Sequence, residues 1–303
     1  MTSQKYIALR MMIAGMLLGI LCKVAQADDD ASSGTSLPAG VRVVRDVPYG
    51  SDPAQRFDVY AAIGVQDAPV IFMVHGGAWM LGDKSARAVV ENKVARWVPK
   101  GFIVISANYR MLPRAMPVEQ ARDVGKALAT AQKKAATWGG DRTRFILMGH
   151  SAGAHLVALL TAWSATCDGN DCAGVATAPW LASVLLDSAA LDVVQRMEQR
   201  HPRLYDRVFG RDPEYWKAAS PFHALNGGTV PILAVCSSLR DDPCPQADRF
   251  AAKAVSSGMR ASVLKQPLSH KDINQHLGQP GDYTNSVEAF LRTVDAAVSD
   301  RLR

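Results

Sequence analysis

The sequence lacks several patterns, and each absence narrows the reading. Neither a C-x-x-C nor an H-E-x-x-H spacing occurs, so the arrangements that commonly hold zinc are missing and no metal or other cofactor is expected. There is no dense Lys/Arg cluster. The pair Lys133-Lys134 sits on a helical pattern and reads as a solvated face, so no nucleic-acid partner is expected. No apolar run reaches the roughly 20 residues that span a bilayer. The longest near the N-terminus, Met11 to Leu21, falls well short. Internal repeats are absent too, and the one stretch of biased composition is a Ser/Gly/Asp-rich segment at 28–40.

What is present begins with an export signal. Lys5 and Arg10 precede the apolar run, and Ala25-Gln26-Ala27 follows as an A-x-A cleavage site, so residues 1–27 read as a signal peptide and the mature chain starts near Asp28. Leu21 stands where a small residue would precede a lipidated cysteine, which disfavours an anchor on Cys22. The expected location is the periplasm or the exterior, with no stable membrane anchor after processing. The formal charge of +6 includes Lys5, Arg10 and Lys23, so cleavage leaves +3. Residues 28–40 read as a flexible linker and 41–303 as one domain, long enough to bury a substantial core. Processing also leaves four cysteines, Cys167, Cys172, Cys236 and Cys244. Three pairings are possible, and the two pairs close in sequence, Cys167–Cys172 and Cys236–Cys244, are the natural ones in an oxidising compartment.

Val41–Val47 and Arg56–Tyr60 alternate around the turn-like Tyr49-Gly50-Ser51-Asp52-Pro53 and read as an antiparallel hairpin at a sheet edge. Val70–Val74, Phe102–Ala107, Phe145–Met148 and Pro231–Val235 are short apolar runs without alternation, as strands buried on both faces are. Helical periodicity falls between them, over Ser85–Trp97, Val118–Trp138, Ala152–Trp163, Ala247–Ser257 and Asn285–Val298. This predicts an α/β fold with a mostly parallel sheet covered by helices on both faces. A segment around 178–226 breaks the rhythm, with helical pieces, several prolines and one plausible strand, Trp180–Leu186. It reads as a small helical cap, or as a crossover that packs on the sheet without touching ligand.

Two motifs end apolar strands. Gly149-His150-Ser151-Ala152-Gly153 is a G-x-S-x-G turn from strand to helix, in which small flanking residues let the chain turn sharply and present Ser151 as a nucleophile. His75-Gly76-Gly77-Ala78-Trp79 follows Val70–Val74, and adjacent glycines let backbone N–H groups face an oxygen that becomes negative. Gly76, Gly77, Ala78 and Ala152 are the candidate oxyanion donors. In a parallel sheet both motifs reach the same carboxyl edge. Trp79, Met80 and Met111 are bulky residues near that edge and are candidate walls of an acyl pocket.

With these motifs the chain resembles the α/β-hydrolase family, in its esterase branch with an HGG motif. The resemblance extends to Asp46-Val47-Pro48-Tyr49-Gly50, Asn108-Tyr109-Arg110, Trp138 to Arg144, Tyr215-Trp216 and Ala219-Ser220-Pro221. It implies an α/β-hydrolase fold and a Ser-acid-His triad in that chain order. The acid is then expected just beyond Pro231–Val235, where Asp241 and Asp242 stand. Spacing to Pro245 favours Asp241, whereas a similar loop with the acid two residues before a cysteine favours Asp242, which is preferred. His270 follows the apolar stretch Ser262–Leu268, in a loop before the terminal helix, and is the expected base. His276 reads as a surface residue, His155 as a structural hydrogen-bonder, and His75 and His150 as residues that orient their turns.

These features imply an exported serine esterase acting on small or medium carboxylic esters, free or attached to polysaccharide. The resemblance also carries two alternatives. Trp79 after the glycines suggests an arylformamidase-like amidase, and a broken triad would mark a hydrolase fold retained as a binding module.

Overall fold

In a computed structural model of the chain, residues 37–164 and 178–303 are described. The expected signal peptide, most of the expected linker, and Cys167 and Cys172 lie outside those residues. Eight strands form one sheet in the order β1-β2-β4-β3-β5-β6-β7-β8. They are β1 (Val41–Pro48), β2 (Arg56–Ala62), β3 (Ala68–Val74), β4 (Ile103–Ala107), β5 (Gly140–His150), β6 (Ala182–Leu186), β7 (Ile232–Ser237) and β8 (Ala261–Gln266). The alternating hairpin pairs antiparallel, β1 with β2, and β2 joins β4 antiparallel. All remaining pairs are parallel. Every residue of β3, β4, β6 and β7 is buried, which explains why these strands read as unbroken apolar runs.

The helices between strands cover both faces. Residues of α1 (Arg87–Trp97) pack in one core layer, and residues of α2 (Pro117–Lys134) and α3 (Ala152–Ser164) in the other. Four short helices follow β6: α4 (Val193–Glu198), α5 (Arg203–Phe209), α6 (Pro213–Ala218) and α7 (Pro221–Ala224). These make up the irregular segment expected around 178–226. The remaining helices are α8 (Pro243–Ser256), α9 (His270–Gln275), α10 (Asp282–Leu291) and α11 (Ala296–Arg301). Strand order, pairing sense and two-sided helical cover together make the α/β-hydrolase fold.

Two elements differ from the sequence expectation. The predicted terminal helix Asn285–Val298 is two helices, because the Asp295 side chain accepts the Val298 N–H at 3.1 Å and caps a new start. His270 lies in a helix rather than a loop. It is the first residue of α9, whose start is capped by Ser269 accepting the Asp272 N–H at 3.2 Å.

One tight junction lies where the chain enters the central strands β3 and β5. At the end of α2 the chain passes through a 3-10 turn, Ala135–Trp138, and reverses at Gly139 with φ 84°. A Cβ there would collide with the Val65 carbonyl, so only glycine lets this turn pack under the loop that leads into β3. The opposite face is pinned by Glu288 of α10. Its buried carboxylate accepts both Arg96 Nε and Nη2 at 2.8 Å, and Trp97 Nε1 at 3.0 Å.

Burial raises the Glu288 pKa, and the bonds from Arg96 outweigh it, so the carboxyl lies below its ordinary value of 4.5. The interaction therefore stabilises fully above that value and is lost as pH falls through the lower, folded-state value. Glu288→Gln is expected to cost about 2–3 kcal/mol at pH 7, by loss of a charged, buried hydrogen-bonded pair. Urea unfolding at pH 7 and pH 4 checks this. The gap between variant and wild type narrows at the lower pH.

Candidate active site

The G-x-S-x-G turn links the end of β5 to α3. Ser151 adopts φ 54°, a left-handed conformation that a serine takes only when its surroundings enforce it. They do so on both sides. A Cβ on Gly149 would strike the Gly153 carbonyl, and one on Gly153 would strike the carbonyls of Val74 and His75. The Ser151 N–H is also tied to the neighbouring strand, donating to the Leu186 carbonyl at 2.8 Å. The residue after Leu186 is Asp187.

The HGG loop runs alongside. A Cβ on Gly76 would lie 3.0 Å from the Ser151 Cβ and 2.9 Å from the His150 carbonyl, so the bare backbone of Gly76 touches the turn directly. Gly77, Ala78 and Trp79 all have positive φ, at 117°, 55° and 60°. Among the described residues, the amides of Gly76, Gly77 and Ala78 donate to no backbone carbonyl. Ala152 opens α3, where first-turn N–H groups have no partner within the helix. The loop is fixed from behind by residues of the Asn108-Tyr109-Arg110 stretch. The Tyr109 hydroxyl donates to the His75 carbonyl at 3.1 Å, its ring stacks on His75 at 4.6 Å, and Arg110 is held by a bidentate contact with buried Asp123. Gln120 Nε2 donates to the Trp79 carbonyl at 2.9 Å.

His270 arrives from the last strand. Its carbonyl lies 2.9 Å from His150 Nε2, and the two rings are 4.5 Å apart, so it stands beside the nucleophile turn. Burial, then the neighbouring His270, pushes the His150 imidazole down to about 3, so it stays neutral and orients the turn. The His270 side chain is 37% exposed.

The carboxylate that His270 meets is neither of the two that the sequence reading named. His270 Nδ1 lies 2.6 Å from Oδ2 of Asp187, whose side chain is 0% exposed. Asp187 directly follows β6, not β7, and its φ of 56° turns its side chain out of the strand path. Its Oδ1 accepts the Ser237 N–H at 2.7 Å, and its own N–H donates to Val235 at 2.8 Å. Burial raises the Asp187 carboxyl, but His270, the Ser237 amide and Arg240 outweigh it and hold the group below the usual carboxylate range. Asp241 and Asp242, the expected acids, are exposed. Asp242 is drawn instead to the buried Arg196 guanidinium at 2.7 Å, with its side chain 52% exposed. A signal for Asp187 was available in Leu185-Leu186-Asp187, an acid at the end of a parallel apolar strand. The family likeness directed attention one strand further on.

The remaining candidates divide. Cys236 and Cys244 form a disulfide across the β7–α8 loop. Trp79, a proposed pocket wall, is only 4% exposed. It packs under α5, against Phe209 at 5.1 Å and Tyr205 at 6.1 Å, and its Nε1 donates to His155 Nδ1 at 3.1 Å. His155 Nε2 in turn donates to the Ala219 carbonyl at 2.7 Å. This relay anchors the glycine loop to α3 and the cap, the structural role expected of His155. Met80 and Met111 are half-buried, and Met111 packs against the core.

The profile of the BD-FAE family matches residues 57–238. The chain belongs to this family. Within the sequence-related proteins, esterase LipC of Mycobacterium tuberculosis is 31% identical over 228 residues, covering 69% of this chain and 54% of that one. Isoprenylcysteine alpha-carbonyl methylesterase ICME of Arabidopsis thaliana is 31% identical over 253 residues, covering 77% and 57%. This chain thus spans about half the length of the curated relatives it matches. Esterase B of Lactobacillus rhamnosis shares the family fold, with a TM-score of 0.68 at 17% identity over 99% of this chain and 98% of that one.

Replacing Gly153 by alanine forces a Cβ into the carbonyls of Val74 and His75. The variant is expected to lose about 1–3 kcal/mol, the usual cost of overpacking a close contact. Chemical unfolding measures it, and a variant as stable as wild type would contradict the close approach.

Proposed function

We propose that this chain is an exported serine esterase that cleaves small or medium carboxylic esters through Ser151, His270 and Asp187. The observation that carries the reading is the 2.6 Å contact between His270 Nδ1 and buried Asp187, beside the strained G-x-S-x-G turn and the HGG loop. The esterase names of LipC and ICME support an ester as the substrate.

The chemistry follows from these positions. With the Nδ1 proton of His270 directed to Asp187, Nε2 is left as the base. It takes the proton of Ser151 as the hydroxyl oxygen attacks the ester carbonyl. The resulting oxyanion is met by N–H groups of Gly76, Gly77 or Ala78, together with that of Ala152 at the positive end of α3. His270 then passes its proton to the leaving alcohol. Water attacks the acyl-enzyme, giving its proton to His270, and Ser151 recovers its own as the acid departs. Asp187 stays ionised throughout and stabilises the imidazolium.

Export rests on the signal-like residues 1–27 and is supported by the Cys236–Cys244 disulfide, which persists in oxidising compartments. The exported protein would act in the periplasm or outside the cell, on free esters or on ester groups carried by polysaccharide.

The mature protein is expected to give a burst with an activated short-chain ester and to be labelled at Ser151 by a fluorophosphonate. No burst and no label would overturn the reading. Asp187→Asn is expected to lower kcat by about 10³–10⁴-fold, as loss of the orienting carboxylate does in a triad. Asp241→Asn and Asp242→Asn are expected to stay within about fivefold of wild type, since neither touches His270. Steady-state rates on one ester compare all three.

A further inference from the structure

Arg240 belongs to none of the motifs above, yet it reaches the centre of the site. Its Nη1 lies 2.6 Å from Asp187 Oδ2 and 2.9 Å from His270 Nδ1. Asp187 Oδ2 is itself 2.6 Å from His270 Nδ1. The three atoms form a closed triangle in which two donors share one carboxylate oxygen. The guanidinium is fixed there by its loop. The Cys236–Cys244 disulfide closes the segment that carries it, the Ser238 N–H donates to Gln266 at 2.9 Å, and the Leu239 N–H donates to Ser237 Oγ at 3.2 Å.

We propose that Arg240 is a positioning residue that competes with His270 for the Asp187 carboxylate and opposes the positive ring that forms when His270 accepts a proton. This rests on the assignment of Ser151, His270 and Asp187 made above. The physical argument has two parts. The Asp187 carboxylate that would otherwise favour imidazolium is shared with a permanent cation 2.6 Å from Oδ2, because arginine does not titrate in proteins. When Nε2 takes the serine proton, the new positive ring also faces that cation at 2.9 Å, and like charges at such a distance oppose protonation.

The other groups around His270 do not supply this effect. His150 from β5 is buried and neutral. Lys93 of α1 is buried, lowered to about 7 by burial, and spends its donors on Asn274 Oδ1 and the Asn274 carbonyl. Tyr283 of α10 faces Asp187 but donates its hydroxyl to the Ile273 carbonyl at 2.8 Å. Asp272 of α9 is engaged by Ser269 at 2.6 Å and lies 3.6 Å from His276. Beyond Arg240, the Arg196–Asp242 pair and Tyr205 form the cap side. Each of these is unchanged in a variant at 240, so a comparison of variants isolates the guanidinium.

The test is the pH profile of kcat/KM for one activated ester, measured for wild type, Arg240→Gln, Arg240→Met and Arg240→Lys, with Ser151→Ala as reference. The acid limb is expected to move up by about one pH unit in the Gln and Met variants, a shift at the low end for a charge this close because Arg240 is 36% exposed. Activity on the acid side of the limb then falls about tenfold relative to the plateau. Arg240→Lys is expected to stay near wild type, since it keeps the charge. Thermal unfolding confirms that each variant is folded, and with two neutral replacements one folded protein suffices. Coincident limbs in wild type and the neutral variants, or a shift to lower pH, would overturn the role of Arg240 while Ser151→Ala still abolished activity. Activity surviving in Ser151→Ala would overturn the triad assignment and the inference with it.

Discussion

The site hangs on the carboxylate of Asp187. It is a fully buried charge, and such a charge is tolerated only when donors replace the water it has lost. Three do so from different parts of the chain: His270 at the start of α9, the Ser237 amide at the end of β7, and Arg240 in the loop that follows. Its backbone also belongs to the sheet, since the preceding Leu186 carbonyl holds the Ser151 amide. One residue thereby ties together the end of β6, the start of α9 and the loop after β7. Removing it would leave a histidine without an orienting partner and a partly exposed arginine without its anion.

The opposite wall of the site depends on close backbone approach. Gly76 passes against Ser151, and Gly153 against the end of β3. These contacts set the glycine loop directly against the turn that carries Ser151 and against the start of α3. The aromatic relay from Trp79 through His155 to Ala219 then ties that loop to the cap. Burial of His155 lowers it to about 4, so the relay keeps one protonation pattern across the working pH range. Ala78 and Trp79 hold left-handed φ values in this loop, a strain that only over-determined surroundings sustain.

Much of this was legible before any coordinates. Fully buried parallel strands leave unbroken apolar runs, and close-packed turns leave glycines, so the fold, Ser151 and the HGG loop carry local signatures. His270 was reachable because only two histidines follow the last strands. The acid was not, for a physical reason. Every parallel strand ends at the same edge, so an aspartate after β6 and one after β7 look equivalent in sequence. What separates them is tertiary: the left-handed turn at Asp187, its burial, and the pull of Arg196 that takes Asp242 away from the base. Trp79 was misjudged for a similar reason, because nothing local shows that α5 closes over it.

The account stands on the pairing of His270 with Asp187, and proton NMR reads that pairing without substrate. A carboxylate-bound Nδ1 proton gives a strongly downfield imidazole signal that survives exchange. Wild type and Asp242→Asn are predicted to show this signal, and Asp187→Asn to lose it. A signal that persists in Asp187→Asn but disappears in Asp242→Asn would contradict the account.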